Sequence, residues 1–175
     1  ETCYRAARLV HAHGGRVSLD PNLRPELMSV DEIRAICAPI LELAEVILPS
    51  GDEATTITGA ADPNEAAQQL LEGGAALVAL KQGAAGSTLC TRNERLHIPA
   101  FHVEEVDPTG AGDCYDAALL VALLEGMPLP EAGTFANAVG ALATTRFGPM
   151  EGTFCRDEVL AFMAAQGRPL QHFQQ

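Results

Sequence analysis

Apolar positions recur at helical spacing over residues 2–13, where Cys3, Ala6, Ala7, Leu9 and Val10 share a face and Gly14-Gly15 ends the run. Val17-Ser18-Leu19 then reads as a short strand entering Asp20-Pro21-Asn22-Leu23-Arg24-Pro25, whose prolines and asparagine predict a loop. Ser29 followed by Glu32 is a capping-box pattern that opens a helix through about Ala44. Val46-Ile47-Leu48 is an apolar strand, stopped by Pro49-Ser50-Gly51. Asp62 and Pro63 suit the N-cap and first position of a helix through Leu71, with Gly73-Gly74 as its stop. Residues 76–80 form another apolar strand, and Gly83 and Gly86 punctuate the turn after it.

In the second half, residues 87–91 and 95–98 flank Asn93-Glu94 and predict a hairpin, and residues 101–104 predict one more strand. A Gly-rich loop at 107–112 leads into a strongly apolar, helix-forming stretch, 114–125, which Pro128 and Pro130 break. Residues 131–145 are Ala-rich with Phe135, Val139 and Leu142 as a core stripe, ended by Gly148-Pro149. Residues 157–166 form a final amphipathic helix, and the Gln-rich tail after Pro169 is expected to fray. Alternating helices and strands in the first half predict a parallel sheet with covering helices. No repeat and no dividing linker interrupts the chain, so residues 1–175 read as a single α/β domain.

Composition adds exclusions. With 11 Lys plus Arg against 23 Asp plus Glu, the formal charge is −12, which argues against a nucleic-acid-binding face. It leaves room for an anionic small molecule, which needs a few local donors. No run of 18 apolar residues spans a membrane, and no secretory signal opens the chain. The 5 cysteines are widely spaced without a C-x-x-C pair, so a zinc site is not expected and buried free thiols in a reducing cytoplasm are. The first residues already read as the body of a helix, as in a fragment or processed product.

The segment Asp107-Pro108-Thr109-Gly110-Ala111-Gly112-Asp113-Cys114-Tyr115-Asp116 carries the most chemistry. Small residues at 110–112 permit a tight turn that exposes consecutive N–H groups at the positive end of the helix that follows. That place suits an anion, particularly a phosphoryl group in transfer. Asp113 lies in the first turn, where its carboxylate either complements the helix N-terminus or accepts a proton from an attacking hydroxyl. The dinucleotide fingerprint fails because Tyr115 stands three residues after Gly112, and no Gly-Lys pair supports a Walker loop.

Residues 107–120 resemble the C-terminal signature of the ribokinase-like (PfkB) carbohydrate kinases, D-[TP]-T-G-A-G-D followed by a small-residue helix. Residues 17–24 are similar to the D-x-N-x-R stretch of the ketodeoxygluconate kinase and fructokinase branches. Residues 80–87 resemble the family's K-x-G-x-x-G nucleotide loop, and Ala136-Asn137-Ala138 with Thr145-Arg146-Phe147-Gly148 resemble the segments that close over the adenine and a monovalent cation. The resemblance implies a three-layer α/β/α sandwich with a mostly parallel sheet. It covers the C-terminal, nucleotide-binding and catalytic portion, and leaves the N-terminal part and the lid that shields the acceptor outside the chain.

Carried over by position, the resemblance implies ATP-dependent phosphorylation of a sugar or keto-sugar hydroxyl. Asp113 would be the general base, with the backbone of Gly110, Ala111 and Gly112 as anion hole. Lys81, Gly83, Gly86 and Asn137 would meet the nucleotide. Asn22 and Arg24 would lie near phosphate or acceptor, the planar fork of Arg24 suiting oxyanions, with an exposed loop cation as its alternative reading. Asp107 and the Thr109 carbonyl, with Ala143, Arg146 and Gly148, would hold K⁺. The family's N-x-x-E motif stands here as Ser50-Gly51-Asp52-Glu53, with Ser replacing Asn. Glu53 would reach Mg²⁺ through water, or be an exposed carboxylate at a helix start. The implied partners are ATP and a small sugar, in the cytoplasm, with a homodimer in the full-length protein. The alternative function is a truncated, catalytically silent nucleotide-binding or assembly module.

Overall fold

The computed structural model describes residues 1–171, in which seven α-helices accompany a five-stranded sheet. The helices are α1 (Thr2–Ala12), α2 (Val30–Leu41), α3 (Gly51–Thr58), α4 (Pro63–Glu72), α5 (Ala111–Leu124), α6 (Leu129–Ala143) and α7 (Arg156–Ala165). The strands are β1 (Ser18–Leu19), β2 (Val46–Ile47), β3 (Leu77–Lys81), β4 (Ser87–Cys90) and β5 (Arg95–Ile98), in spatial order β1-β2-β3-β4-β5. β1, β2 and β3 are parallel, with Ser18 beside Val46 and Val46 beside Leu77. The links to β4 and β5 are too short for a crossover, so the sheet turns antiparallel there. No helix among the described residues is long and apolar enough to cross a membrane.

The fold gathers into two compact units. The first comprises Glu1–Gln82 and Thr88–Leu96. Its core is Ile33, Ile47, Ile57, Leu70, Leu71, Val78 and Leu80 with small alanines between them. Several helix starts follow from single residues. Ser29 Oγ accepts the Glu32 N–H while Glu32 Oε2 accepts the Ser29 N–H at 2.9 Å. Asp62 Oδ1 accepts the N–H groups of Asn64 and Glu65 at 2.7 and 3.2 Å, with Pro63 at the first helical position. α2 stops at Leu41 rather than near Ala44: the Leu43 and Ala44 amides turn to the Ile40 and Leu41 carbonyls, three residues back, which closes the helix end. At α3, Ser50 and Glu53 form a second capping box, which turns the expected stop after β2 into a helix start, the alternative that the sequence offers for Glu53.

The second unit comprises Gly83–Ser87 and residues from His97 onward. α5 packs along α6 through small residues, Ala118, Ala122, Ala132 and Ala136 being buried. A Cβ at Gly140 would sit 3.4 Å from Tyr115 Cβ and 3.4 Å from the Ala111 carbonyl. α5 ends at Leu124, ahead of the two prolines; Pro128 is the N-cap of α6 and Pro130 stands in its first turn, where no intrahelical N–H is required of it. Residues 101–104 form no strand. The carbonyls around them are taken by side chains: Asn137 donates to Ile98 at 2.9 Å, Arg168 to Pro99 and Ala100 at 3.1 Å each, and Gln166 to His102 at 3.0 Å. Phe101 is nevertheless buried against Phe162, with the Arg168 guanidinium 4.0 Å above its ring.

Two smaller expectations change. Cys90 is buried, but Cys37 and Cys114 are only partly so, and Cys3 and Cys155 are exposed. The tail does not fray directly after Pro169, since Leu170 is buried; residues 172–175 lie outside the described residues.

Gly86 (φ +98°) is where the second unit tolerates least change. A Cβ there would overlap the Ile98 carbonyl oxygen and lie 2.7 Å from the Ala100 nitrogen. Gly167 (φ +70°) has nothing within 4 Å of the same position. Gly86→Ala should therefore destabilise by about 2–4 kcal/mol and Gly167→Ala by about 1 kcal/mol. Urea unfolding of both variants checks this, and equal losses would show that the close approach at Gly86 is unimportant.

Candidate active site

In the second unit the loop at 107–110 is built around one carboxylate. Asp107 Oδ1 accepts the Thr109 N–H at 2.9 Å, and Oδ2 accepts the Gly148 N–H at 2.9 Å. The Thr144 carbonyl accepts the N–H groups of Val106 and Asp107 at 2.8 and 3.1 Å. The segment before α5 is thus laid onto the turn that follows α6. Gly110 caps α5 with φ +82°, and a Cβ there would lie 2.8 Å from the Pro149 carbonyl oxygen. A residue other than glycine would be strained and would also press on that turn. The hydroxyl of Thr109, then the amides of Thr109 and Gly148, hold the Asp107 carboxyl below the usual carboxylate range.

The first turn of α5 follows. The Ala111 N–H donates to the Pro108 carbonyl at 3.2 Å, so this member of the expected anion hole is already engaged. The N–H groups of Gly110, Gly112 and Asp113 find no acceptor among the described residues. Asp113 is solvent-exposed, and its carboxylate forms no hydrogen bond or ion pair among the described residues. Next to it, burial and then the Asp113 charge push the Cys114 thiol up, so that neighbour stays protonated. Free amides and an accessible carboxylate within one helical turn can hold an anion and take up a proton.

Other expected residues of this unit have definite local duties. Gly83 opens a single 3₁₀ turn, Gly83–Ala85, with φ +54° and open space where a Cβ would stand. The Gly86 N–H closes that turn on the Gly83 carbonyl at 2.9 Å. Asn137 is buried, and its Nδ2 is held by the Ile98 carbonyl at 2.9 Å and the Pro99 carbonyl at 3.3 Å. It is thus a strap on the 98–99 segment, a role that sequence position did not reveal. The carbonyls of Thr109, Ala143, Arg146 and Gly148 accept no hydrogen bond among the described residues, leaving hard oxygen donors beside the Asp107 clamp. The Arg146 side chain points elsewhere, 4.6 Å above the Phe154 ring.

In the first unit a separate network surrounds the loop at 20–24. Lys81 Nζ pairs with Asp20 Oδ2 at 2.9 Å, and Asp20 Oδ1 accepts the Asn22 N–H at 3.1 Å. Asn22 has a left-handed backbone, φ +41°, and its Oδ1 accepts Arg24 Nη1 at 2.7 Å. Glu53 accepts the Leu23 N–H on Oε1 at 2.7 Å and the Ser50 N–H on Oε2 at 2.8 Å. Each carboxylate oxygen therefore already takes one amide, and contact with an ion through ordered water remains open to its other lone pairs. Among the described residues no group of three or more His, Cys, Asp and Glu could hold a metal by itself. Asp20 is the member that sequence reasoning quoted within a motif but left without a duty; an acid one residue before Pro and two before Asn is a sequence sign of a side-chain-capped turn.

The class of protein these features define is a ribokinase-like kinase fold. A protein from E. coli solved in complex with ATP and Mg²⁺ superposes at a TM-score of 0.90 and 38% identity, covering 94% of this chain and 54% of that one. Fructokinase from Vibrio cholerae, solved with fructose, ADP and a calcium ion, gives 0.84 and 32% over 91% and 54% of the two chains. A double mutant of that enzyme carries fructose, ADP and a potassium ion, at 0.83 and 31% over the same shares. The chain belongs to the pfkB family of carbohydrate kinases, which residues 1–153 match. Aminoimidazole riboside kinase of Salmonella typhimurium is 34% identical over 171 residues, 94% of this chain and 54% of the relative. The chain thus spans about half the length of the curated relatives it matches.

The Asp107 clamp makes a pH prediction. Its folded-state pKa is depressed, so its contribution is complete above the unfolded value, about 3.9, and is lost as pH falls through the lower folded value. Asp107→Asn should lower the urea midpoint at neutral pH and flatten its decline below about pH 4. Parallel acid profiles for the two proteins would show that the clamp does not hold the loop.

Proposed function

We propose that residues 1–175 are the nucleotide-binding and catalytic portion of an ATP-dependent kinase acting on a sugar or keto-sugar hydroxyl. The observation that carries this reading is the exposed, unpaired Asp113 carboxylate beside the free amides of Gly112 and Asp113. In this reading Asp113 removes the proton from the acceptor hydroxyl as its oxygen attacks the γ-phosphorus in line. The amides of Gly110, Gly112 and Asp113 hold the phosphoryl oxygens while charge moves toward the leaving ADP. The group transferred requires orientation more than covalent help, which is why rigidity in the 107–113 segment matters.

The remaining assignments follow the same reading. Gly83 and Gly86 keep their loop low enough for a nucleotide to approach it. Arg24 offers Nε and Nη2, which form no hydrogen bond among the described residues, to a phosphate or acceptor oxygen. Asp107 and the carbonyls of Thr109, Ala143, Arg146 and Gly148 suit K⁺, a hard cation that takes oxygen donors. Glu53 would orient water around Mg²⁺, which when bound neutralises phosphate charge. Membership of a family whose relatives include fructokinase and 2-dehydro-3-deoxygluconokinase supports a ketose-like acceptor. A cytoplasmic site of action, where ATP is supplied, and a homodimer of the complete protein belong to the same reading.

In the complete protein Asp113→Ala should lower turnover about 10²–10⁴-fold while ATP–Mg²⁺ affinity changes less than about twofold. Coupled turnover with a panel of hexoses and keto-acids, together with calorimetric ATP titration, checks both halves. Undiminished phosphorylation would remove Asp113 from the base position. ATP binding without turnover of any acceptor would mark the silent-module alternative instead.

A further inference from the structure

Lys81 ends β3, where its N–H donates to the Pro49 carbonyl at 2.9 Å and its backbone bridges to Ser50. Its direction is therefore set by the sheet. The ammonium lies 2.9 Å from Asp20 Oδ2, with the two side chains 15% and 23% exposed. A pair so far removed from water has locally cancelled charges, and removal of either partner leaves the other poorly solvated. Asp20 in turn caps the Asn22 N–H at 3.1 Å, supporting a left-handed conformation (φ +41°) that a residue with a side chain disfavours. Asn22 Oδ1 then receives Arg24 Nη1 at 2.7 Å, and the Leu23 and Asn22 carbonyls accept the same nitrogen at 3.0 and 3.4 Å. The second anchor of the loop is Glu53, through the Leu23 N–H.

We infer that Lys81 is a positioning residue: through Asp20 it latches the strained loop at 20–24 and so sets where Asn22 and Arg24 present themselves, rather than contacting the nucleotide. This rests on the kinase reading above. It departs from the motif-based expectation, in which Lys81 meets ATP directly. A lysine whose charge is already neutralised by Asp20 adds little to phosphate attraction, whereas the loop it holds relies on side-chain anchors such as its own pair and Glu53.

Lys81→Met, Asp20→Asn and the double variant of the complete protein separate these roles. Each single change should lower kcat/KM for the sugar by about 10–100-fold, and the double should fall no further than the worse single. ATP–Mg²⁺ dissociation constants should stay within about threefold in all of them, and Lys81→Arg should recover much of the loss. Hydrogen exchange at residues 22–24 should accelerate in both singles, while α5 stays protected. A tenfold or greater loss of ATP affinity in Lys81→Met alone, with Asp20→Asn unaffected, would make Lys81 a nucleotide ligand. Multiplying effects in the double would show two independent duties. Wild-type protein without kinase activity would remove the kinase reading; unchanged exchange at 22–24 in Lys81→Met would remove the latch itself.

Discussion

The second unit depends on the two oxygens of one carboxylate. Asp107 reaches the Thr109 amide with one and the Gly148 amide with the other, 41 residues further along the chain. Without that tie, the Val106 and Asp107 amides on the Thr144 carbonyl would still join the end of α6 to the approach to α5, but Thr109 and Gly148 would lose their shared acceptor. With it, Gly110 is pressed against Pro149 in a conformation suited to glycine, and the helix starts at a fixed point. Where the helix starts decides which amides are left over. An anion site made from backbone is as well defined as the residue at which the helix begins.

The excess of acids fits that logic. At α2, α3 and α7, Glu32, Glu53 and Glu158 accept the N-cap amides, and at α4 Asp62 caps two. These helix starts are filled by the chain's own carboxylates. α5 differs because its cap is Gly110, which has no side chain to offer, and the acid in its first turn points to solvent instead of back onto the amides. α1 and α6 also start without a side-chain cap, so what sets α5 apart in a chain of formal charge −12 is an exposed carboxylate beside its free amides. Net charge argues against a nucleic-acid face without deciding the chemistry of a single turn.

Much of this was legible from residue order. Asp62-Pro63, Ser29 with Glu32, and the glycines after α1 and α4 gave element boundaries because caps act within a few residues. The 107–113 segment was legible because a tight turn with a glycine cap needs small residues in sequence. What escaped was decided by contacts distant along the chain. For α3 the sequence offers Glu53 at a helix start as an alternative to an ion-facing role, but Pro49-Ser50-Gly51 reads as a stop after the strand unless Ser50 and Glu53 pair as a capping box. Residues 101–104 have strand-like alternation, yet Asn137, Gln166 and Arg168 take the carbonyls of the surrounding segment. Asn137 and Lys81 occupy motif positions, but their partners are 39 and 61 residues away, and no local pattern reports them. The amide of Ala111 likewise could not be subtracted from the anion hole before the turn at Pro108 was seen.

These departures share a cause that bears on how motif residues should be understood. A side chain engaged at 2.7–2.9 Å within the protein is held in one place by that bond, and meets a ligand only with the donors or lone pairs the bond leaves over. Lys81, Glu53 and Asn137 are all in that position, whereas Asp113 and the amides of Gly112 and Asp113 are not. The division is physical: the first group holds segments in place, and the second has unfilled hydrogen-bonding capacity. Recurrence of the first group in a signature is then expected even if none of them touches substrate, because a loop displaced by an ångström places its free groups wrongly. Chemistry in such a site falls to the groups that the fold leaves unpaired, and the positions of those groups are set by the ones it pairs.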